Sequence, residues 1–233
     1  MTGWRDIMRS VADALMPRSC AVCGTVLTHQ ERHLCIGCAA ELPVTHLHRE
    51  PDNEAAMRFA GRVPVERATS LLYYRKGGSV AQLLQDIKYR NHPTLGRWLA
   101  ARLSRELQAD GFFSGIDIIM PIPLHFEKRA RRGYNQSRYI ALGVSDITGI
   151  PVGDNLISPR PHSTQTAKDS TRRWENVQGV FALRHPEQLK DKHVLLIDDV
   201  LTTGATLVTA ARVLRQVEGV TVSVLTLALD KLD

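Results

Sequence analysis

Val194-Leu195-Leu196-Ile197-Asp198-Asp199-Val200-Leu201-Thr202-Thr203-Gly204-Ala205-Thr206-Leu207 is the run on which the reading of this chain turns. Four consecutive apolar residues, Val194 to Ile197, suit a strand buried on both faces, as in a parallel sheet. Asp198 and Asp199 then emerge at its carboxyl end, where open α/β sheets bind their ligands. Paired carboxylates there need a polyol or a cation. Thr202, Thr203, Gly204 and Thr206 read as a tight turn opening a helix near Ala205. Backbone N–H groups at that point lack intrahelical partners, the helix dipole is positive, and threonine hydroxyls add donors without charge. Gly204 supplies a backbone conformation that other residues resist. Residues 202–206 therefore form a phosphate cradle, and two acids beside it suit a sugar phosphate. The run lacks the glycine-framed loop and lysine of a nucleotide-triphosphate site, and no GxGxxG follows a strand.

Outward from this run, apolar spacing alternates between strand and helix. Ala68–Tyr74 reads as a strand that Gly77-Gly78 breaks, and Val80, Leu83, Leu84 and Ile87 then recur at helical spacing. A second helix is expected from about Leu95 to Leu107, a strand over Ile116–Ile122 ended by Pro123, and a helix over Tyr134–Val144. Ala205–Val217 reads as helix and Val220–Leu229 as a final strand. Strands alternating with helices predict an α/β fold, a mostly parallel twisted sheet with flanking helices.

The four cysteines fall together as Cys20-Ala21-Val22-Cys23 and Cys35-Ile36-Gly37-Cys38. Two CxxC pairs separated by a hairpin-sized span bring four thiolates to the corners of a tetrahedron, the closed arrangement of structural Zn²⁺. Two disulfides are the competing assignment, but they need an oxidising compartment. A small N-terminal zinc knuckle, stapling a segment too short for its own core, is expected. His29, His33, His46 and His48 read as surface histidines; His46 and His48 are the residues that a second metal site would have to recruit.

At 233 residues the chain has room for one domain and a small module. A net charge of +6, with 43% hydrophobic and 23% charged residues, is ordinary for a globular protein and tolerant of anionic partners. No apolar run suits membrane insertion. Trp4–Leu15 carries helical periodicity closed by Pro17, and Arg5, Asp6, Arg9 and Asp13 break any secretory core, so a cytoplasmic setting is expected.

The stretch from Val194 to Leu207 resembles the signature of type I phosphoribosyltransferases. A more specific resemblance follows from Pro121-Ile122-Pro123-Leu124, the basic residues Lys128, Arg129 and Arg131, and Arg132-Gly133-Tyr134-Asn135-Gln136. With Gln165, Arg172 or Arg173, Asn176 and Phe181, and with the paired cysteines, the chain is identified as a member of the ComF family. The resemblance implies residues 1–49 as helix and zinc knuckle, 50–64 as connector and 65–233 as a phosphoribosyltransferase-like domain. Asp198 and Asp199 would hold the ribose hydroxyls and act in catalysis, and Thr202, Thr203, Gly204, Ala205 and Thr206 would hold the 5-phosphate. Arg129, Arg132, Arg172 and Arg173 would meet the pyrophosphate of phosphoribosyl pyrophosphate, with Mg²⁺ bound alongside.

The family setting implies competence and DNA uptake, with single-stranded DNA and a DNA-uptake helicase as partners. Lys76, Lys88, Arg90, Arg97 and Arg102, interleaved with Tyr73, Tyr74, Tyr89 and Trp98, have the composition of a single-strand surface. Metabolic pentosyl transfer to a nucleobase is the alternative, for which the sequence offers no separate base-binding segment.

Overall fold

The structure is a computed structural model and describes residues 18–159 and 180–231. The expected helix at 4–15 and the polar stretch carrying Gln165, Arg172, Arg173 and Asn176 lie outside the described residues. In chain order the regular elements are α1 (Ile36–Ala40), α2 (Glu54–Met57), β1 (Ala68–Tyr74), α3 (Ser79–Tyr89), α4 (Pro93–Ala109), β2 (Ile118–Pro121) and α5 (Phe126–Arg132). There follow α6 (Gln136–Thr148), β3 (Leu156–Ile157), β4 (Ala182–Leu183), β5 (His193–Leu201), α7 (Ala205–Leu214) and β6 (Thr221–Asp230).

The main sheet has the order β1-β6-β5-β2, and each neighbouring pair is parallel. β3 and β4 form a separate antiparallel pair. Two-residue alternation over Val194–Ile197 sorts these side chains of β5 between two cores, and Leu201 joins the second of them. Leu195 and Ile197 pack with Leu83, Leu84 and Ile87 of α3, Leu95 and Leu99 of α4, and Ile140 and Val144 of α6. Val194, Leu196 and Leu201 pack on the other face with Leu207, Val208, Ala211 and Leu214 of α7. Helices thus cover both faces, as an all-parallel sheet requires.

α6 crosses α4 at unusually short range because Gly143 has no side chain. A Cβ built there would stand 2.1 Å from the Arg97 carbonyl oxygen and 2.9 Å from the Ala100 Cβ. A glycine costs a helix interior about 1 kcal/mol relative to alanine, and here the close approach accounts for it.

Several boundaries differ from the sequence expectation. β5 runs to Leu201, so Asp198 and Asp199 belong to the last part of the strand instead of following it. Continuous pairing to β6 through Leu201–Leu229 carries the strand beyond its apolar stretch. β2 is shorter than expected, α7 ends at Leu214, the helix expected at 134–144 spans Gln136–Thr148, and a separate short helix, α5, precedes it and ends at Gly133 with φ 78°.

The cysteine hairpin docks on the main domain. Leu27, Leu34 and Leu42 share the core of Leu71, Leu72 and Val80. Gln82 of α3 donates to the Ala21 carbonyl at 2.7 Å. Residues 43–45 lie antiparallel along β1, through Tyr73 N–H to Pro43 O at 2.8 Å and Thr45 N–H to Leu71 O at 3.1 Å. Residues 50–64 also pack inward, with Ala55, Phe59 and Val63 buried against Leu201 and Leu207. Among the described residues no helix is long and apolar enough to cross a membrane.

Candidate functional site

β5 and β2 are neighbours in a parallel sheet, so their carboxyl ends open on the same edge. Asp198 and Asp199 come from β5, and the run from Ile122 to Gln136 comes from the end of β2. Asn135 ties the two sides together. Its side-chain amide donates to the Ile122 carbonyl at 2.9 Å, and its side-chain oxygen caps α6 by accepting from the Ser137 N–H at 3.1 Å. The cap aims the Ser137 hydroxyl at Asp198, to which it donates at 2.9 Å.

The two acids have different surroundings. Asp198 accepts from Ser137 and from the Asp199 N–H at 2.8 Å. Burial, followed by the negative charge of Asp199, pushes its carboxyl up to about 7, against the opposing pull of the Asp199 N–H, the Ser137 hydroxyl and Lys88. Asp199 is buried and pairs through Oδ2 with Lys88 Nζ at 3.1 Å. Lys88 sits in the last turn of α3, and its place here corrects the sequence assignment of this lysine to a DNA-facing surface. Sequence reasoning had no means of joining two residues more than a hundred positions apart.

The turn after β5 has the predicted form. Gly204 adopts φ 75° and stands at the N-cap of α7, while Thr202, Thr203, Ala205 and Thr206 are exposed around it. The space behind Gly204 is taken by the protein: a Cβ there would meet the Arg58 Cβ at 3.3 Å. Arg62 braces the same turn by donating to the Thr203 carbonyl at 2.5 Å. The loop is thus held on one side by Arg58 and Arg62, and its threonines are exposed.

Arg129 and Arg132 lie in the last turn of α5. Arg129 is exposed. Arg132 donates to Gln136 Oε1 at 3.0 Å and to the Tyr89 hydroxyl at 3.2 Å, with its guanidinium 4.9 Å from the Tyr89 ring centroid. Arg172 and Arg173 lie outside the described residues. Chemically, the edge offers two carboxylates, a serine, a lysine, one positioned guanidinium and a turn of exposed threonines.

Cys20, Cys23, Cys35 and Cys38 place their sulfurs within 4.8 Å of one another. Cys23 and Cys35 Sγ are 3.7 Å apart, close to the ~3.8 Å edge of a tetrahedron with Zn–S bonds of about 2.3 Å. Cys35 Sγ accepts from the Cys38 N–H at 3.5 Å, and the Thr25 hydroxyl beside Cys23 leads the contacts that lower that thiol to about 6. The cluster fits a zinc knuckle. His48, Glu106 and Asp110 form a second group of close ligand atoms. Arg49 already pairs with Glu106 at 2.6 Å and Asp110 at 3.0 Å, and His46 with Glu106 at 2.7 Å, so this cluster is an ion-pair clamp on α4.

A separate groove of about 920 Å³ runs between the cysteine module and α4, lined by Arg32, Arg97, Trp98, Arg102 and Arg105 among others. Arg102 lies 5.9 Å from the Trp98 ring centroid, and Arg97 is paired with Asp146 at 2.6 Å.

A parallel sheet flanked by helices, with an Asp-Asp strand end running into a Thr-Thr-Gly turn, defines a phosphoribosyltransferase-type fold. The chain belongs to the phosphoribosyl transferase domain family, which it matches over residues 93–232. Its relatives are those of the ComF family. It is 30% identical over 139 residues to competence protein F of Haemophilus influenzae, a match covering 58% of this chain and 61% of that protein, which is less than two thirds of its length. It is 26% identical over 199 residues to DNA utilization protein YhgH of Escherichia coli K12, covering 84% of this chain and 83% of that protein. Among solved structures, adenine phosphoribosyltransferase from Thermoanaerobacter pseudethanolicus is 14% identical, with a TM-score of 0.35 over 64% of this chain and 85% of that one.

Proposed function

We propose that the carboxyl edge of β5 and β2 binds a ribose 5-phosphate group, with phosphoribosyl pyrophosphate as the preferred ligand. The observation that carries this reading is the adjacency of an acid pair, held by Ser137 and Lys88, to an exposed Thr-Thr-Gly turn braced from behind by Arg58 and Arg62. Asp198 and Asp199 accept from the ribose hydroxyls, and the turn at 202–206 donates to the phosphate. Arg129 and Arg132 meet the pyrophosphate, the role that the family resemblance also gives to Arg172 and Arg173, which lie outside the described residues. Mg²⁺ arriving with such a ligand would be held largely by ligand oxygens, as Mg²⁺ usually is, and would neutralise the diphosphate. In this reading residues 65–233 carry the ligand, residues 1–49 form a zinc-pinned module, and residues 50–64 join them while bracing the turn.

A calorimetric titration with phosphoribosyl pyrophosphate and Mg²⁺, with ribose 5-phosphate and nucleoside monophosphates as competitors, tests the proposal. Saturable binding displaced by ribose 5-phosphate is expected, and Asp198→Asn with Asp199→Asn should weaken it. Absence of binding by the unmodified chain would remove the proposal. Release of pyrophosphate with a nucleobase would favour the metabolic alternative.

A second reading, a cytoplasmic DNA-uptake role with single-stranded DNA and a helicase as partners, draws on the groove beside the cysteine module. Arg32, Arg102 and Arg105 supply charge there and Trp98 an aromatic face, the combination that single-strand binders use. Binding of an oligonucleotide that weakens steeply with salt, and weakens further in Trp98→Ala, is the expected result.

A further inference from the structure

We infer that Lys88 is itself a ligand-binding residue of the sugar-phosphate site, a resident cation that neutralises Asp199 before a ligand arrives and meets the diphosphate of the ligand afterwards. The inference rests on the sugar-phosphate reading above and extends it to α3, which precedes the residues 93–232 that match the domain family.

Three observations carry it. First, Lys88 Nζ lies 3.1 Å from Asp199 Oδ2, and its side chain is 22% exposed, so the ammonium is at the acid pair on a side chain that is not fully buried. An ammonium has three donors. One contact to Asp199 leaves donors for an incoming anion. Second, the last turn of α3 is held on both sides of Lys88. The Tyr134 hydroxyl donates to the Ile87 carbonyl, and Arg132 donates to the Tyr89 hydroxyl while packing on its ring. Both anchors belong to the stretch that follows β2, so the lysine is fixed relative to Arg132 as well as to Asp199. Third, the turn at Gly204 is braced by Arg58 and Arg62, whereas Lys88 is paired with Asp199 and Arg132 is joined to the same end of α3 through Tyr89. A ligand whose ribose hydroxyls occupy the acids and whose 5-phosphate occupies the turn therefore presents its second anionic group toward Lys88 and Arg132. A ribose 5-phosphate that lacks a diphosphate has nothing to offer that side.

The alternative is that Lys88 only neutralises a buried carboxylate. Removing both charges distinguishes the two roles without leaving an orphaned ion. The full-length chain is titrated calorimetrically, at one Mg²⁺ concentration, with phosphoribosyl pyrophosphate and with ribose 5-phosphate. The proteins are the unmodified chain, Lys88→Arg, Asp199→Asn, and the double variant Lys88→Gln/Asp199→Asn. The double variant should bind phosphoribosyl pyrophosphate about tenfold more weakly than Asp199→Asn does, the loss expected of one charge-assisted hydrogen bond. The two should bind ribose 5-phosphate equally, and Lys88→Arg should keep the preference for the diphosphate. Equal affinity of the double and single variants for phosphoribosyl pyrophosphate, or equal losses for both ligands, would overturn the inference and leave the site reading standing. If the unmodified chain takes neither ligand, the sugar-phosphate reading fails and the role of Lys88 fails with it.

Discussion

Asp198 concentrates the chemistry of the site in one titrating group. Burial and the neighbouring charge of Asp199 raise its carboxyl to about 7, and the Ser137 hydroxyl holds it down by stabilising the ionised form. Ser137→Ala should therefore move the midpoint upward in a carbon-detected NMR titration of the aspartate carboxyls; an unmoved midpoint would remove Ser137 from the site. The sign for stability follows from the raised value. As pH climbs from about 4 toward 7, the unfolded chain releases this proton first, so the folded state binds more protons and loses stability with rising pH. Ribose binding should show the opposite trend, because the ionised carboxylate is the better acceptor, with an affinity rise whose midpoint shifts in Ser137→Ala. The acids and the Thr-Thr-Gly turn were legible in the sequence because they are contiguous and each has a local physical reason. Lys88 was not, since it follows Ile87 on a helix whose periodicity reports only which side is buried. Its partner is set by how α3 returns across the sheet.

Among the elements, the packing of α6 on α4 is the feature least visible in sequence, where Gly143 is merely a weak residue inside a helical pattern. Gly143→Ala should destabilise the chain by about 1–3 kcal/mol, the usual cost of overpacking, because the added methyl would overlap the Arg97 carbonyl. Chemical denaturation measures it, and an unchanged midpoint would contradict the close crossing. The strand and helix identities of β1, α3, α4 and β6 were readable from periodicity alone. The ends were not: sheet pairing carries β5 through Leu201, past its polar residues, and α6 runs on to Thr148, beyond the apolar spacing that ended its expected range at Val144. The extension of β5 has a functional consequence, since it fixes Asp198 and Asp199 on paired backbone instead of a loop.

At the scale of the molecule, the cysteine module and the sheet share one core. Leu27, Leu34 and Leu42 are buried with Leu71 and Leu72, so the cysteine cluster sits in a segment that contributes apolar surface to the main domain. Chelation should lower the melting temperature of the whole chain, with one mole of zinc released per mole of protein, because metal binding and folding are linked in such modules. Full stability after complete zinc removal would contradict that role. The pairing of cysteines was evident from spacing, whereas their docking against Val44, Gln82 and β1 depended on chain reversals that no local pattern encodes.

The turn between β5 and α7 is where the proposed sugar phosphate must bind. Backbone amide NMR of the full-length chain, recorded while ribose 5-phosphate and Mg²⁺ are added, reads that turn directly. Saturable shifts concentrated at residues 202–207, accompanied by the carboxyl signals of Asp198 and Asp199, are the predicted result. Shifts absent there, or confined to the Arg97–Arg105 face of α4, would contradict it.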